Sequence, residues 1–542
     1  MLLPDLLGFT IVLGIVATVG LRRSATASDY TVASRDLALF PLVATLVMTE
    51  FNTSTLLAFA GAGYAAGPMA IALPAVFLVG LTFYTLTVAR AWKRFNRLSV
   101  AELFTERYSR ALGRTASLLL LVAMVGFTAT YVKSLTLLFV PFAPGLPQPL
   151  LGALLTGVVL AAVLPGGLVS VVRADVAGFV ASAILFPVLL AIGWARAGGI
   201  AGLGTVFAAD QLLLDPIAQW QHPALSMRFV LTLMVLTCFT YIAAPWYGQK
   251  IFAARDQRTA FRAVALSAAI VFVLYGAVVI AAATLRVEQP ALSDAQLAVP
   301  TMVRTWLPAG IRGAGFAVLF GAALTTLAGV WSAMGAMVAA DLAGERVRTV
   351  RAQRLVLTGF AVLSWLGATF LVDDILDRLI LANIPVAALA FALLAGFHWK
   401  RATTAGAWAS VAVGMVWGVG CFVIVGEAGG YTWPWAIYGI PLIFVTGTVV
   451  SLATTTRALC DGAHCPAIPL LPLADRPGTF CGPPSCRGVP GREVRRTHCH
   501  GVPRCRMPRS TSRPTSRCPH LRRRPLPPRP PPYSAARRRR WG

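Results

Sequence analysis

Met48-Thr49-Glu50-Phe51-Asn52-Thr53-Ser54-Thr55, followed by Ala60-Gly61-Ala62-Gly63-Tyr64, interrupts an apolar segment that runs over residues 41–66. Six of the first eight side chains are polar, and one is a carboxylate. Inside hydrocarbon such residues are costly unless they line a cavity or pair with one another. The segment reads as a membrane span with a polar centre, and Glu50 is the one carboxylate placed deep in a span. Two roles fit these residues. Glu50 caps an unwound turn while the Thr/Ser run packs helices through small side chains, or the group lines a binding site, the default reading of an intramembrane acid.

The rest of the chain supplies the membrane setting. Of 542 residues, 57% are hydrophobic and 13% charged, against about 25% charged in a soluble domain. That excludes an ordinary soluble enzyme. A span needs about 20 apolar residues. Thirteen segments approach or exceed that length: about 3–21, 41–66, 69–90, 113–139, 148–169, 174–195, 226–247, 260–284, 309–340, 354–372, 378–398, 403–425 and 433–454. The first reads as a true span rather than a cleavable signal, because Asp5 precedes its apolar run and Arg22-Arg23 follow, the reverse of a signal's charge order.

Orientation follows from Lys and Arg in the loops. With the N-terminus outside, the inside loops carry 21 basic residues and the outside loops six, namely Arg196, Arg228, Arg286, Arg304, Arg312 and Arg378. The expectation is thirteen spans, N-terminus outside and C-terminus inside. The amphipathic stretch 98–110 reads as a short surface helix on the inside. Lys133 is the one Lys placed within a span, where snorkelling to the outer surface is its simplest role.

Two further clusters carry polar groups. The ninth span holds Ala322, Thr325, Thr326, Trp331 and Ser332 and closes on Asp341. Adjacent Thr hydroxyls back-bond to their own helix, or they face freed carbonyls of another helix and suit a small hard cation, which takes oxygen ligands. Gly166 to Asp175 forms a tight inside turn between spans five and six, where Asp175 pairs with Arg173 at the interface.

Together these stretches resemble the sodium:solute symporter family. The matching residues are Asp29-Tyr30 with Arg35, Thr49-Glu50-Phe51, Gly61 with Tyr64 and Gly67, and the turn Gly166 to Asp175. Gln249-Lys250-Ile251-Phe252-Ala253-Ala254-Arg255-Asp256, read as an inside stretch, and Trp399-Lys400-Arg401-Ala402-Thr403-Thr404 also match. The resemblance covers about residues 1–454. It implies an all-α integral membrane protein with a LeuT-like inverted repeat of five plus five helices, spans 2–6 and 7–11, with spans 1, 12 and 13 peripheral. It implies a sodium site from the carbonyls of Met48, Phe51 and Ala322 and the hydroxyls of Thr325 and Thr326. Asp175 matches an acid on the ion's inward path. The solute cavity is expected between the breaks of spans 2 and 7, with Glu50, Asn52, Thr53, Ser54, Thr237, Phe239, Thr240, Tyr241 and Trp331 as candidates.

The expected function is sodium-coupled import of a small polar organic solute by alternating access, in a bacterial cytoplasmic membrane. Solute, sodium and the lipid bilayer are the partners; no cofactor beyond the coupling ion and no nucleic acid is expected. A solute sensor acting through a separate signalling partner is the alternative. A channel fits less well, since no selectivity-filter-like ring is present. An enzyme does not fit, because no metal-ligand set or nucleophile–base pair stands out.

Residues 457–542 differ from the body. From residue 455 onward lie 19 of the 47 basic residues, all Arg, with 17 of 36 Pro and seven of nine Cys. The Cys spacing fits no common zinc pattern. A shifted reading frame in GC-rich DNA gives this mixture, so residues 1–456 are expected to form the transporter and 457–542 a disordered tail.

Overall fold

The computed structural model describes residues 3–20, 35–143, 145–164, 167–343, 349–427 and 429–460. Pro165, Gly166, Asp29, Tyr30 and the tail beyond Cys460, on which parts of the sequence reading rest, lie outside the described residues. Within them the chain is helical, and its one isolated β-bridge joins Leu37 to Ala254.

Each predicted apolar segment carries helix. We label the principal helices α1 (Leu3–Gly20), α2 (Leu39–Glu50), α3 (Thr53–Ala66), α4 (Ala72–Thr87), α5 (Arg110–Phe139), α6 (Gln148–Val163), α7 (Gly167–Ala197), α8 (Met227–Tyr241) and α9 (Pro245–Phe252). They continue as α10 (Gln257–Glu288), α11 (Ile311–Met337), α12 (Val350–Phe370), α13 (Ile375–Leu381), α14 (Ile384–Ala388), α15 (Ala390–His398), α16 (Thr404–Val425) and α17 (Ile440–Cys460). By length and composition, seven stretches among the described residues qualify as membrane spans, or nine when each bent pair counts as one. Thirteen is thus the sequence's expectation rather than the structure's count. α2, α6 and the Leu3–Ile15 part of α1 count only as shorter apolar helices, and α12 is not among the qualifying stretches. α3 and α4 run on through a 3-10 turn, Gly67–Ile71.

Two helix interruptions organise the interior. The chain leaves α2 at Phe51 (φ −79°, ψ 58°) and re-enters helix at Asn52, whose side chain accepts a hydrogen bond from the Thr55 amide. Asn is among the strongest N-cap residues, which is why the new helix starts there. The second interruption separates α8 from α9 with a 49° bend. Pro245 is its cause: proline suits the first helical position, cannot continue the preceding helix and drives Ala244 to an extended backbone. Trp92 Nε1 donates to the Ile242 carbonyl at this hinge (2.9 Å). A third bend, 41°, falls between α13–α14 and α15.

Burial ranks the helices. The most apolar window of the stretch Ile311–Ala343 is 89% buried, against 28% for Thr404–Val425 and 33% for Pro434–Thr455. α11 is therefore the central helix, while α16 and α17 pair with each other at the periphery. α10 packs on α2, α3, α4 and α7, closing the core around the first break.

The residues that resemble a family pattern have structural work. Gly67 has φ +77°, a left-handed backbone open to glycine, and a Cβ there would meet the Phe207 ring at 2.8 Å. The Tyr64 hydroxyl donates to the Gln289 carbonyl (2.5 Å) and accepts from the Leu292 amide (2.9 Å), tying the end of α3 to the chain after α10. Arg107 donates to the carbonyls of Trp399, Lys400 and Ala402 and so holds that turn. The short helix expected within 98–110 is present as Glu102–Arg107, with Leu103 and Phe104 buried. Ser99, just before it, donates to Asp341 (2.7 Å).

Gly63 sets the closest approach of α3 and α10: a Cβ there would lie 2.4 Å from the Val279 carbonyl oxygen. Gly63→Ala is expected to destabilise by about 1–3 kcal/mol, the usual cost of overpacking. Thermal unfolding of the detergent-solubilised protein should show a lower Tm. Gly14→Ala, with nothing within 4 Å, serves as the control and should leave Tm unchanged.

Candidate functional site

The first break sits against α11. Met48 lies in the last turn of α2 and Phe51 at its C-cap, while Ala322, Thr325 and Thr326 lie in the middle of α11, with Thr326 meeting Met48. All five are buried. Thr326 Oγ1 donates to the Met48 carbonyl (3.3 Å), and Thr325 Oγ1 donates to the Ala322 carbonyl (3.3 Å). Both contacts are at the long end for O–H···O bonds. The break explains the geometry, because the last carbonyls of a helix lack intrahelical partners. Neutral oxygens from two helices converge, the donor chemistry that a small hard cation takes.

Beside this cluster lies a buried ion pair. Lys250 Nζ stands 3.0 Å from Asp175 Oδ2 and donates to the Thr45 carbonyl (2.9 Å) and to the Thr49 hydroxyl. Thr45 Oγ1 also donates to Asp175 (2.5 Å). Asp175 is 1% exposed and Lys250 2%. The structure corrects the sequence reading at three points. Asp175 pairs with Lys250 rather than Arg173, Lys250 is inside the protein rather than in an inside loop, and Glu50 shares the buried interior with a second carboxylate, Asp175. The reason is α9: it follows the Pro245 hinge back into the core, so a residue near a basic loop ends up buried. Lys133, by contrast, is partly exposed.

A separate cavity lies between the two breaks. Its walls include Asn52, Thr55, Phe59 and Phe77 from the α2–α4 side, Phe127 and Tyr131 from α5, Thr237, Thr240 and Tyr241 from α8, Trp246 from α9, and Asn383. Aromatic rings make much of it: Phe77 stands edge-on to Tyr241 (5.8 Å between centroids) and Phe127 to Trp246 (5.0 Å). None of the described residues lining it is charged. The wall offers hydroxyls, two carboxamides and aromatic faces, a surface for a polar organic molecule with apolar parts.

Of the predicted solute residues, Asn52, Thr237, Thr240 and Tyr241 reach this cavity. Glu50 stands behind it: the Tyr241 hydroxyl donates to Glu50 Oε2, while Oε1 has no hydrogen-bond partner among the described residues. The others point elsewhere. Thr53 and Ser54 bond to Ser134 on α5 (2.9 and 3.2 Å), so their hydroxyls join helices. The Phe239 ring packs between Phe83 and Phe444. Trp331 donates to Ser364 on α12 (3.2 Å). The break resets the helical phase, so sequence spacing across it does not tell which side chains share a face. Sequence reasoning missed Thr55, Tyr131, Trp246, Asn383 and Lys250. Two of these carry a local signal: Thr55 closes the polar run that opens at Thr49, and Asn383 is an amide just ahead of Pro385 at a helix boundary.

A helical membrane protein with two broken helices meeting at a buried cavity, and an oxygen cluster at one break, has the architecture of a LeuT-like secondary transporter. The model of the sodium:solute symporter family matches residues 30–414, and the chain belongs to that family. It is 27% identical over 442 residues to the sodium/pantothenate symporter of Escherichia coli K12, covering 77% of this chain and 89% of that protein. It is 23% identical over 453 residues to the sodium/pantothenate symporter of Haemophilus influenzae, covering 79% and 90%. The substrate-bound, outward-open structure of a Na+-coupled sialic acid symporter superposes with a TM-score of 0.68 at 19% identity, covering 83% of this chain and 98% of that one. That likeness shows the fold. The family and these relatives are multi-pass membrane transporters, which are not enzymes, and family membership makes sodium and a solute the transported ligands.

Asn52 caps α3 through Thr55 N (2.9 Å) and also donates from Nδ2 to the Glu50 carbonyl (3.0 Å). Asn52→Ala should cost about 1 kcal/mol through the lost cap and lower Tm, whereas Asn52→Ser, which retains a capping oxygen, should recover part of the loss. Equal Tm values for the two variants would show that the cap does not hold the break.

Proposed function

We propose that this chain imports a small, polar organic solute driven by sodium entering down its gradient. The reading rests on one observation: the first helix break brings the Met48 carbonyl to the Thr326 hydroxyl of α11, beside the Thr325–Ala322 pair, while the same break supplies Asn52 and Thr55 to the cavity. A cation drawn to the oxygen cluster and a solute in the cavity then both act on the α2–α3 junction. Each stabilises the arrangement the other needs, and such coupling is reciprocal: solute tightens sodium binding by the factor by which sodium tightens solute binding.

The proposed sodium ligands are the carbonyls of Met48, Phe51 and Ala322 with Thr325 and Thr326. Asn52, Tyr241, Thr55, Tyr131 and Asn383 are the proposed solute contacts, with Glu50 orienting Tyr241. Asp175 is the proposed acid on the ion's inward path. Hydroxyls, amides and aromatic faces suit a solute that carries hydroxyl or amide groups beside apolar carbon. Pantothenate, named in both sodium/pantothenate relatives, has that chemistry and is the first compound to test. The positive-inside count supports an outside N-terminus and an inside C-terminus, in a bacterial cytoplasmic membrane. The transporter body is proposed to occupy residues 1–456, with core repeats about 41–196 and 226–398.

Proteoliposomes with an inward sodium gradient should accumulate labelled pantothenate, and replacement of sodium by choline should abolish it. Accumulation of another member of a panel of amino acids, sugars and short carboxylates would reassign the solute; equal uptake in choline would remove the coupling. Thr325→Ala and Thr326→Ala should each raise the sodium concentration for half-maximal uptake about tenfold, equivalent to about 1.4 kcal/mol. Unchanged sodium dependence in both variants would remove the site assignment.

A stop after Cys460, the last residue of α17, should leave sodium-dependent uptake at the full-length level. Loss of uptake in a truncated protein that remains folded would give the tail a role.

A further inference from the structure

Lys250 has an unusual position for a lysine. Its ammonium is surrounded by the Thr45 carbonyl, the Thr49 hydroxyl and the Asp175 carboxylate, all buried. A carbonyl, a hydroxyl and a carboxylate form an oxygen set that also suits a free alkali cation. The surroundings place this set next to the proposed sodium ligands. Thr45 and Thr49 lie on the same turn of α2 as Met48, and the Lys250 stem passes Gly329 of α11, where a Cβ would stand 3.9 Å from its Cε. Gly329 is one residue short of a full turn beyond Thr326. The second oxygen cluster is therefore built from α2 and α7 and borders α11 at Gly329, and it already holds a positive charge that belongs to the chain.

We propose that Lys250 fills a second cation site with a tethered ammonium, and thereby sets how many free sodium ions the protein binds. The inference rests on the sodium-coupled reading above and adds to it a residue that fixes stoichiometry. A charge balance supports it. Asp175 is 1% exposed, and a buried carboxylate left without a partner is strongly unfavourable. When the ammonium is removed, the carboxylate and the two threonine oxygens remain as an anionic cage of the size a lysine head occupied. A cation from solution is the group that restores neutrality. The small glycine at 329 leaves room along the former path of the stem. An ion pair that served structure alone would predict something different: loss of stability with no new affinity for sodium.

The test compares wild type with Lys250→Ala, Lys250→Gln, Lys250→Arg and the charge-neutral double variant Lys250→Ala/Asp175→Asn. Purified full-length protein is equilibrated with radiolabelled sodium, and bound sodium per chain is counted beside the Hill coefficient. Lys250→Ala and Lys250→Gln should bind about one more sodium per chain than wild type, with a steeper sodium dependence, since Hill coefficients rise toward the number of coupled sites. Lys250→Arg, which keeps a tethered cation, should bind the wild-type number. The double variant should lose the added ion. Tm should rise with sodium more steeply in the two Lys250 single variants than in wild type, through binding linkage.

Unchanged stoichiometry and an unchanged sodium response of Tm in both single variants overturn the proposal. So does failure of both single variants to fold in high sodium while the double variant folds, because sodium would then not be replacing the ammonium. Wild-type protein that binds no sodium overturns the sodium-coupled reading instead, and is scored first.

Discussion

The carbonyl of Glu50 is the point on which the interior depends. α2 ends there, within the hydrophobic body of the protein, and its last acceptors face no water. In a bilayer an unsatisfied backbone group costs several kcal/mol. The Glu50 carbonyl instead accepts from the Asn52 amide (2.8 Å), from Asn52 Nδ2 (3.0 Å) and from the Tyr275 hydroxyl (2.5 Å). Tyr275 comes from α10, the helix that packs on α2, α3, α4 and α7. Its ring also packs against Phe51 and stacks on Phe77. One tyrosine thus satisfies the break and backs Phe59 and Phe77, which line the cavity. A helix interruption becomes tolerable in a membrane because neighbouring helices supply what water would have supplied.

Charge is distributed with the same economy. The buried acid Asp175 and the buried base Lys250 cancel, which is how charged side chains persist in an apolar interior. The adjoining oxygen cluster at Met48, Ala322, Thr325 and Thr326 is built from neutral groups, so the two clusters sit side by side without an excess of fixed charge. Glu50 stands apart from both, its carboxyl bonded to Tyr241. Tyr241 lines the cavity and closes α8 just before the Pro245 hinge. The carboxyl on one broken helix therefore holds the end of the other. Any motion that separates the two breaks must first break that contact.

Several features stand in the linear sequence and reappear in three dimensions. The helical membrane class follows from 57% hydrophobic residues and apolar segments of span length, since hydrocarbon imposes helices on any open chain that crosses it. The first break is legible as polar residues inside an apolar run, because Asn52 caps locally, and the second as Pro245, because proline acts locally. Thr325 and Thr326 stand out as adjacent hydroxyls in an apolar span, their sodium role is implied by the family pattern, and the fold brings Thr326 to Met48 of α2.

Tertiary structure alone decided the rest. Thr53 and Ser54 belong to the same polar run as Asn52 and Thr55, yet their hydroxyls bond to α5 while Asn52 and Thr55 face the cavity. Each residue turns the side chain by about 100° around a helix axis, and the irregular backbone at Phe51 changes the starting phase by an amount the sequence does not encode. Trp331 looks like a mid-span recognition residue but spends its one donor on Ser364. Lys250 looks like part of a basic loop and lies 2% exposed against Asp175. Composition and periodicity fix what a segment is, because those are properties of neighbours along the chain. Which groups meet depends on helix crossings between residues far apart in the chain, 205 positions for Lys250 and Thr45 and 278 for Thr326 and Met48, and those crossings exist only once the whole body has packed.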